Sequence, residues 1–149
     1  MLAHLPQSTA STVSSAQPRD VTGPMPSDQA RLEWLRRIEA RCRSMPRDDL
    51  FRACAMLGGD GAKLALDSLA TALFRTLPRV LPSGRLQLYQ TGAQERSFDE
   101  DWLLSALAAA GRGDTDSLAF LLARRVPAHA RRQVGFLIGT LSRALDKSV

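Results

Sequence analysis

Residues 123–133 read ARRVPAHARRQ and gather four arginines and a histidine around Pro127. Guanidinium groups are forked, permanently charged donors that pair with phosphate and carboxylate. The chemistry open to Arg124, Arg125, His129, Arg131 and Arg132 is therefore anion recognition rather than bond making. Arg124 and Arg125 close one expected helix, whereas Arg131 and Arg132 open the next. Cations suit a helix C-terminus and are disfavoured at an N-terminus, so the second pair calls for compensation. From Ser117 to Leu145 the sequence contains no acid. Three sources remain: the acidic run Asp99, Glu100 and Asp101 of the same chain, an acidic partner, or phosphate assisted by the free N–H groups of the last helix. The partner reading is adopted. It expects that changing Arg131 and Arg132 to glutamine leaves the free chain equally stable.

Other reactive residue types are scattered. His4 and His129 are the only histidines, and Cys42 and Cys54 fall on separate expected helices, so no Cys/His cluster has zinc spacing. The glycine-rich GGDG at 58–61 lies between helices and lacks the lysine and hydroxyl of a phosphate loop. Asp48–Asp49 and Asp99–Asp101 occupy helix first turns, where the dipole accounts for them. Trp34 and Trp102 lie on amphipathic helices and are expected at the core or its edge. No catalytic, cofactor-binding or metal-binding residue is assigned, and the chain is expected not to be an enzyme.

The stretch LARRVPAHARRQVGFLIGTL (122–141) resembles a helix-turn-helix unit, with a first helix ending at Val126 and arginines near the start of the second. That resemblance implies a DNA-binding transcriptional regulator whose base-reading side chains lie in the N-terminal part of the second helix. Phe136 stands beside the apolar face of that helix and is expected to be buried.

The elements that position these residues follow from periodicity. SDQARLEWLRRIEARCRSM begins at a capping residue, Ser27 or Asp28. Leu32, Leu35, Ile38, Cys42 and Met45 make one apolar face, and Glu33–Arg37 and Glu39–Arg43 are spaced as surface pairs. PRDDLFRACAMLGG has proline at its start and glycines at its end, as a second helix requires. GAKLALDSLATALFRTL is a third, ending before Pro78, with Leu66, Leu69, Ala70, Leu73 and Leu77 on its face. A Pro-Ser-Gly turn and alternating leucines make 79–92 a short hairpin or an irregular insert. Ser97 and Glu100 have capping-box spacing for a fourth helix ending at Gly111 and Gly113. Asp114 caps a fifth that stops at Pro127, and Val134, Leu137, Ile138, Leu141 and Leu145 line the sixth. Moving 27–77 along by 68 positions gives eleven identities in 51 positions, including Trp34 on Trp102 and Arg75 on Arg143. The expected fold is thus all-α, with about six helices as two three-helix halves forming a possible internal repeat.

The chain has 149 residues, a single domain's worth, with 44% hydrophobic and 23% charged residues. Residues 1–26, rich in Ser, Thr, Pro and Gln, are expected to form a disordered tail ahead of a helical domain at 27–149. The net charge is +5, and Lys63 and Lys147 are the only lysines among 20 basic residues. Because the arginines run through the whole chain, their abundance points to genome composition more than to recognition. Two cysteines are too few for a disulfide scaffold. No apolar run reaches a membrane span, and the first residues lack the basic and apolar regions of a secretory signal. The cytoplasm is the expected location. The partner expected is an acidic protein, with nucleic acid and a second copy of the chain as further candidates.

Overall fold

The computed structural model describes residues 26–45 and 61–147. Among them are five α-helices: α1 (Pro26–Ser44), α2 (Gly61–Val80), α3 (Phe98–Gly111), α4 (Thr115–Arg125) and α5 (Arg131–Lys147), with a 3₁₀ turn at Ala128–Ala130 and no strand. The expected second helix at 46–59, Cys54, His4 and all but the last residue of the expected tail lie outside the described residues.

One core joins all five helices. Leu32, Leu35 and Ile38 of α1 meet Ala70, Leu73 and Leu77 of α2, Leu103 and Leu107 of α3, and Val134, Ile138 and Leu141 of α5. α5 packs on both α2 and α3, and α4 lies against α3 and α5. The apolar positions expected for α2 and α5 all belong to this core, Leu69 and Leu137 at its margin. In α1 the face fades toward its end: Cys42 is half-buried and Met45 is exposed.

Helix ends follow local chemistry. Ser97 Oγ accepts the Glu100 N–H at 3.1 Å, and the Glu100 carboxylate accepts the Ser97 N–H at 2.8 Å, a complete capping box for α3. Gly113 takes φ +69° beyond α3, a conformation open to a residue without Cβ. There the N–H groups of Gly113 and Asp114 return to the carbonyls of Ala110 and Ala109. Asp114 then accepts the Ser117 N–H at 3.0 Å and caps α4. The hydroxyl and the N–H of Ser117 hold the Asp114 carboxyl below its usual range.

One expectation is corrected in α2. α2 does not stop before Pro78 but runs through it to Val80. Proline forfeits its own bond in the last turn, yet Leu81 N–H still reaches the Leu77 carbonyl at 2.9 Å, and both leucines are buried. Of the two forms expected for the insert after α2, the structure has the irregular one. Its leucines alternate as a strand's would, Leu86 buried and Gln87 exposed, but the polar groups of α3 stand where a second strand would pair.

Moved by 68 positions, the ranges of α1 and α2 become 94–112 and 129–148, against 98–111 for α3 and 131–147 for α5. The tryptophans differ in their partners. Trp34 donates to Asp67 of α2 at 3.2 Å, whereas Trp102 donates to the Leu121 carbonyl of α4 at 2.9 Å. Both rings are mostly covered.

Candidate functional site

The five residues singled out from the sequence divide into two groups. Arg125 and Arg131 serve the fold. The Arg125 guanidinium pairs with Asp99 Oδ1 and lies 5.4 Å from the ring centroids of both Phe98 and Trp102. This fastens the end of α4 to the start of α3. Arg131 Nε donates to the Val126 carbonyl at 2.9 Å and Nη2 to the Ala123 carbonyl at 3.3 Å. Those carbonyls end α4, so a cation at the start of α5 serves as the cap of the preceding helix. This corrects the expectation that Arg131 has no compensation within the chain. Arg124, His129 and Arg132 are exposed. Arg124 lies 5.6 Å from the Phe120 ring.

The acidic run is consumed locally. Asp99 takes Arg125 on one oxygen and the Gln87 N–H at 2.6 Å on the other. Asp101 is 3.8 Å from Arg96. Glu100, fully buried, forms a two-pronged pair with Arg36 of α1 at 2.7 and 3.0 Å and also accepts the Tyr89 N–H at 2.8 Å. Arg36 completes its fork on Glu33 at 2.7 Å and on the carbonyls of Ala93 and Glu95 at 2.8 Å each. Burial drives the Glu100 carboxyl up, but Arg36 and the N–H groups of Ser97 and Tyr89 outweigh it and hold it low. The bond to Glu100 raises Arg36, against the effect of burial. The expected Glu33–Arg37 pair is thus replaced by Glu33–Arg36, while Glu39–Arg43 forms at 2.7 Å. This polar knot ties α1, α3 and the insert together. Its central pair, Arg36 and Glu100, is buried.

The exposed side chains of α4 and α5 include aromatic rings and arginines. The turn at 126–130 brings α5 back along α4, where Gly135 faces the Leu122 side chain so closely that a Cβ would come within 3.1 Å of it. On the outer side, Phe120 is 60% and Phe136 66% exposed. The expected burial of Phe136 is therefore corrected: the core stripe runs through Val134, Ile138 and Leu141, roughly half a helical turn or more away from it. Phe120 and Arg124 are one turn apart on α4, as are Arg132 and Phe136 on α5. Arg143, two turns beyond Phe136, donates to Thr140 Oγ1 at 3.3 Å. Phe98, 77% exposed, borders this surface beside Arg125. Sequence reasoning found the arginines and missed the phenylalanines. The available signal was their offset from the apolar stripes.

Among the described residues, no group of three or more His, Cys, Asp or Glu side chains is placed to hold a metal ion. No helix among them is long and apolar enough to cross a membrane. No family model, no curated protein and no solved structure matches this chain.

Proposed function

We propose that the protein is a non-enzymatic interaction module that docks an acidic partner protein on the outer face of α4 and α5. The observation that carries this reading is the pairing of two exposed phenylalanines, Phe120 and Phe136, each with an exposed arginine one turn away. Exposed apolar surface that is rimmed by charge marks a contact site where it is contiguous. Burying each ring on docking contributes about 1.5–3 kcal/mol, and Arg124 and Arg132 add charge recognition and steering. The partner segment that fits is amphipathic, with apolar residues flanked by carboxylates.

The test compares partner capture by the wild type and by the Phe120→Ser/Phe136→Ser and Arg124→Gln/Arg132→Gln variants in cross-linked host lysate. The expected result is one acidic protein lost with both variants, while melting temperatures stay within a degree or two of the wild type. Capture unaffected by either change rejects the surface.

The runner-up, a helix-turn-helix DNA-binding regulator, draws support from the exposure of Arg132 and Gln133 at the start of α5. A mobility shift with genomic DNA at two salt concentrations separates the readings. DNA binding weakens steeply with salt through Arg124 and Arg132 and is indifferent to Phe120→Ser. The same reading treats the two halves as copies of one helical unit, the second having acquired the docking face. A crystal structure in which 27–77 superposes on 95–145 in the same order and hand bears on that point.

A further inference from the structure

Residues 86–90 run along the start of α3 and use only one edge of their backbone there. The N–H groups of Gln87 and Tyr89 donate to the carboxylates of Asp99 and Glu100, and the Gln87 carbonyl accepts the Ser97 hydroxyl. Bonding at every second residue is the habit of an extended strand, in which the intervening residues direct their N–H and C=O groups the other way. Those belong to Leu86 and Leu88, and no described group bonds them. The side chains alternate accordingly: Leu86 is buried and Leu88 packs on the core, while Gln87 and Tyr89 face out. The segment is an irregular but extended run of backbone, with one edge filled by helix-borne carboxylates and the other without a bonding partner among the described residues.

The surface beside it is basic. A groove of about 270 Å³ runs along 86–89 between Arg43 and Arg85. The same two arginines open onto a second hollow of about 230 Å³, where Arg75 and Arg79 of α2 join them. The acid there, Glu39, is buried and already paired with Arg43. Arg75, Arg79 and Arg85 have no acidic partner among the described residues.

We propose that this edge accepts an extended acidic peptide segment of a partner protein, which adds alongside it as a strand. Main-chain bonds to Leu86 and Leu88 supply the pairing, and carboxylates at alternate positions of the peptide reach Arg79 and Arg85. A second copy of this chain is a poor occupant, because it brings the basic surface of Arg75, Arg79 and Arg85 of one copy toward the same surface of the other. The site is separate from the α4–α5 face and does not depend on it.

The probe is a fluorescent, end-blocked octapeptide alternating glutamate and valine, titrated into the full chain and followed by anisotropy. Saturable binding is expected. Methylating every backbone amide of the peptide, which keeps its charge and removes its N–H donors, should weaken it about tenfold or more. Arg79→Gln/Arg85→Gln should weaken it to a similar extent with an unchanged melting temperature, and Phe120→Ser/Phe136→Ser should leave it unaltered. Absence of binding overturns the proposal. So does equal binding of the methylated peptide, which would reduce the groove to a patch of charge, and so does a ten-nucleotide oligothymidylate that binds more tightly than the peptide.

Discussion

Arg36 is the most demanding single residue of the fold. Its side chain is 1% exposed, and its partner Glu100 is entirely covered. A buried ion pair is weak evidence of net stabilisation, but removing one partner leaves the other charge stranded. Arg36→Met is expected to cost about 3–5 kcal/mol, and Arg36→Met/Glu100→Gln should recover part of that loss. Chemical denaturation of the two variants and the wild type measures the difference. The low titration of Glu100 makes a second prediction. The unfolded chain takes up its proton near the ordinary value of about 4.3, while the folded chain resists until lower pH. Stability from this group is therefore present above that value and falls as pH drops below it. Glu100→Gln should flatten that part of the stability profile in acid titration followed by circular dichroism. The pair was partly legible. Arg36 and Glu39 lie four and seven residues after Leu32, on the apolar stripe of α1 itself, and both are buried. A charge at such a position announces a buried partner, although periodicity alone does not say that the partner is Glu100.

At the level of elements, signals that act within a few residues were readable, and those that depend on a neighbouring element were not. The capping box at Ser97, the Asp114 cap and the glycine stop after α3 all stand as their spacing implies, because each bond closes within one turn. Asp99 and Glu100 were explained by the helix dipole, which is only half of their role. Their carboxylates also hold the N–H groups of Gln87 and Tyr89, and nothing in the spacing of 86–100 announces that. The arginine pair at 131–132 divides in the same manner. Arg131 caps a helix other than its own, so its position looks unfavourable until α4 is placed beside it. Arg131→Gln is expected to lower stability by about 1 kcal/mol, the ordinary worth of such bonds, whereas Arg132→Gln should leave it unchanged or slightly raised, since its guanidinium stands exposed in the first turn. Thermal unfolding of the two single variants measures this. Equal effects would show that the bonds to Ala123 and Val126 carry no stability.

For the whole molecule, the distribution of charge and exposed aromatic surface matters more than any one contact. The all-α class and the apolar faces of the helices were read from periodicity, since a common core demands them. The outer face of α4 and α5 was not, because an arginine-rich helix reads as solvated whether or not phenylalanines stand among the arginines. These two components oppose each other when no partner is present. Phe120 and Phe136 favour self-association, while a net charge of +5 and the exposed Arg124 and Arg132 of each copy resist it. Salt screens the repulsion over a few ångströms at molar strength and leaves apolar contact intact. Self-association of the isolated protein should therefore increase from low to high salt, the reverse of the salt dependence of nucleic-acid binding. Phe120→Ser/Phe136→Ser should abolish the increase, and Arg124→Gln/Arg132→Gln should bring association on at lower salt. Sedimentation velocity across a salt series distinguishes these outcomes. A chain that stays monomeric at every salt concentration would mean that the two rings do not form a cohesive patch, and the docking face would then rest on its arginines alone.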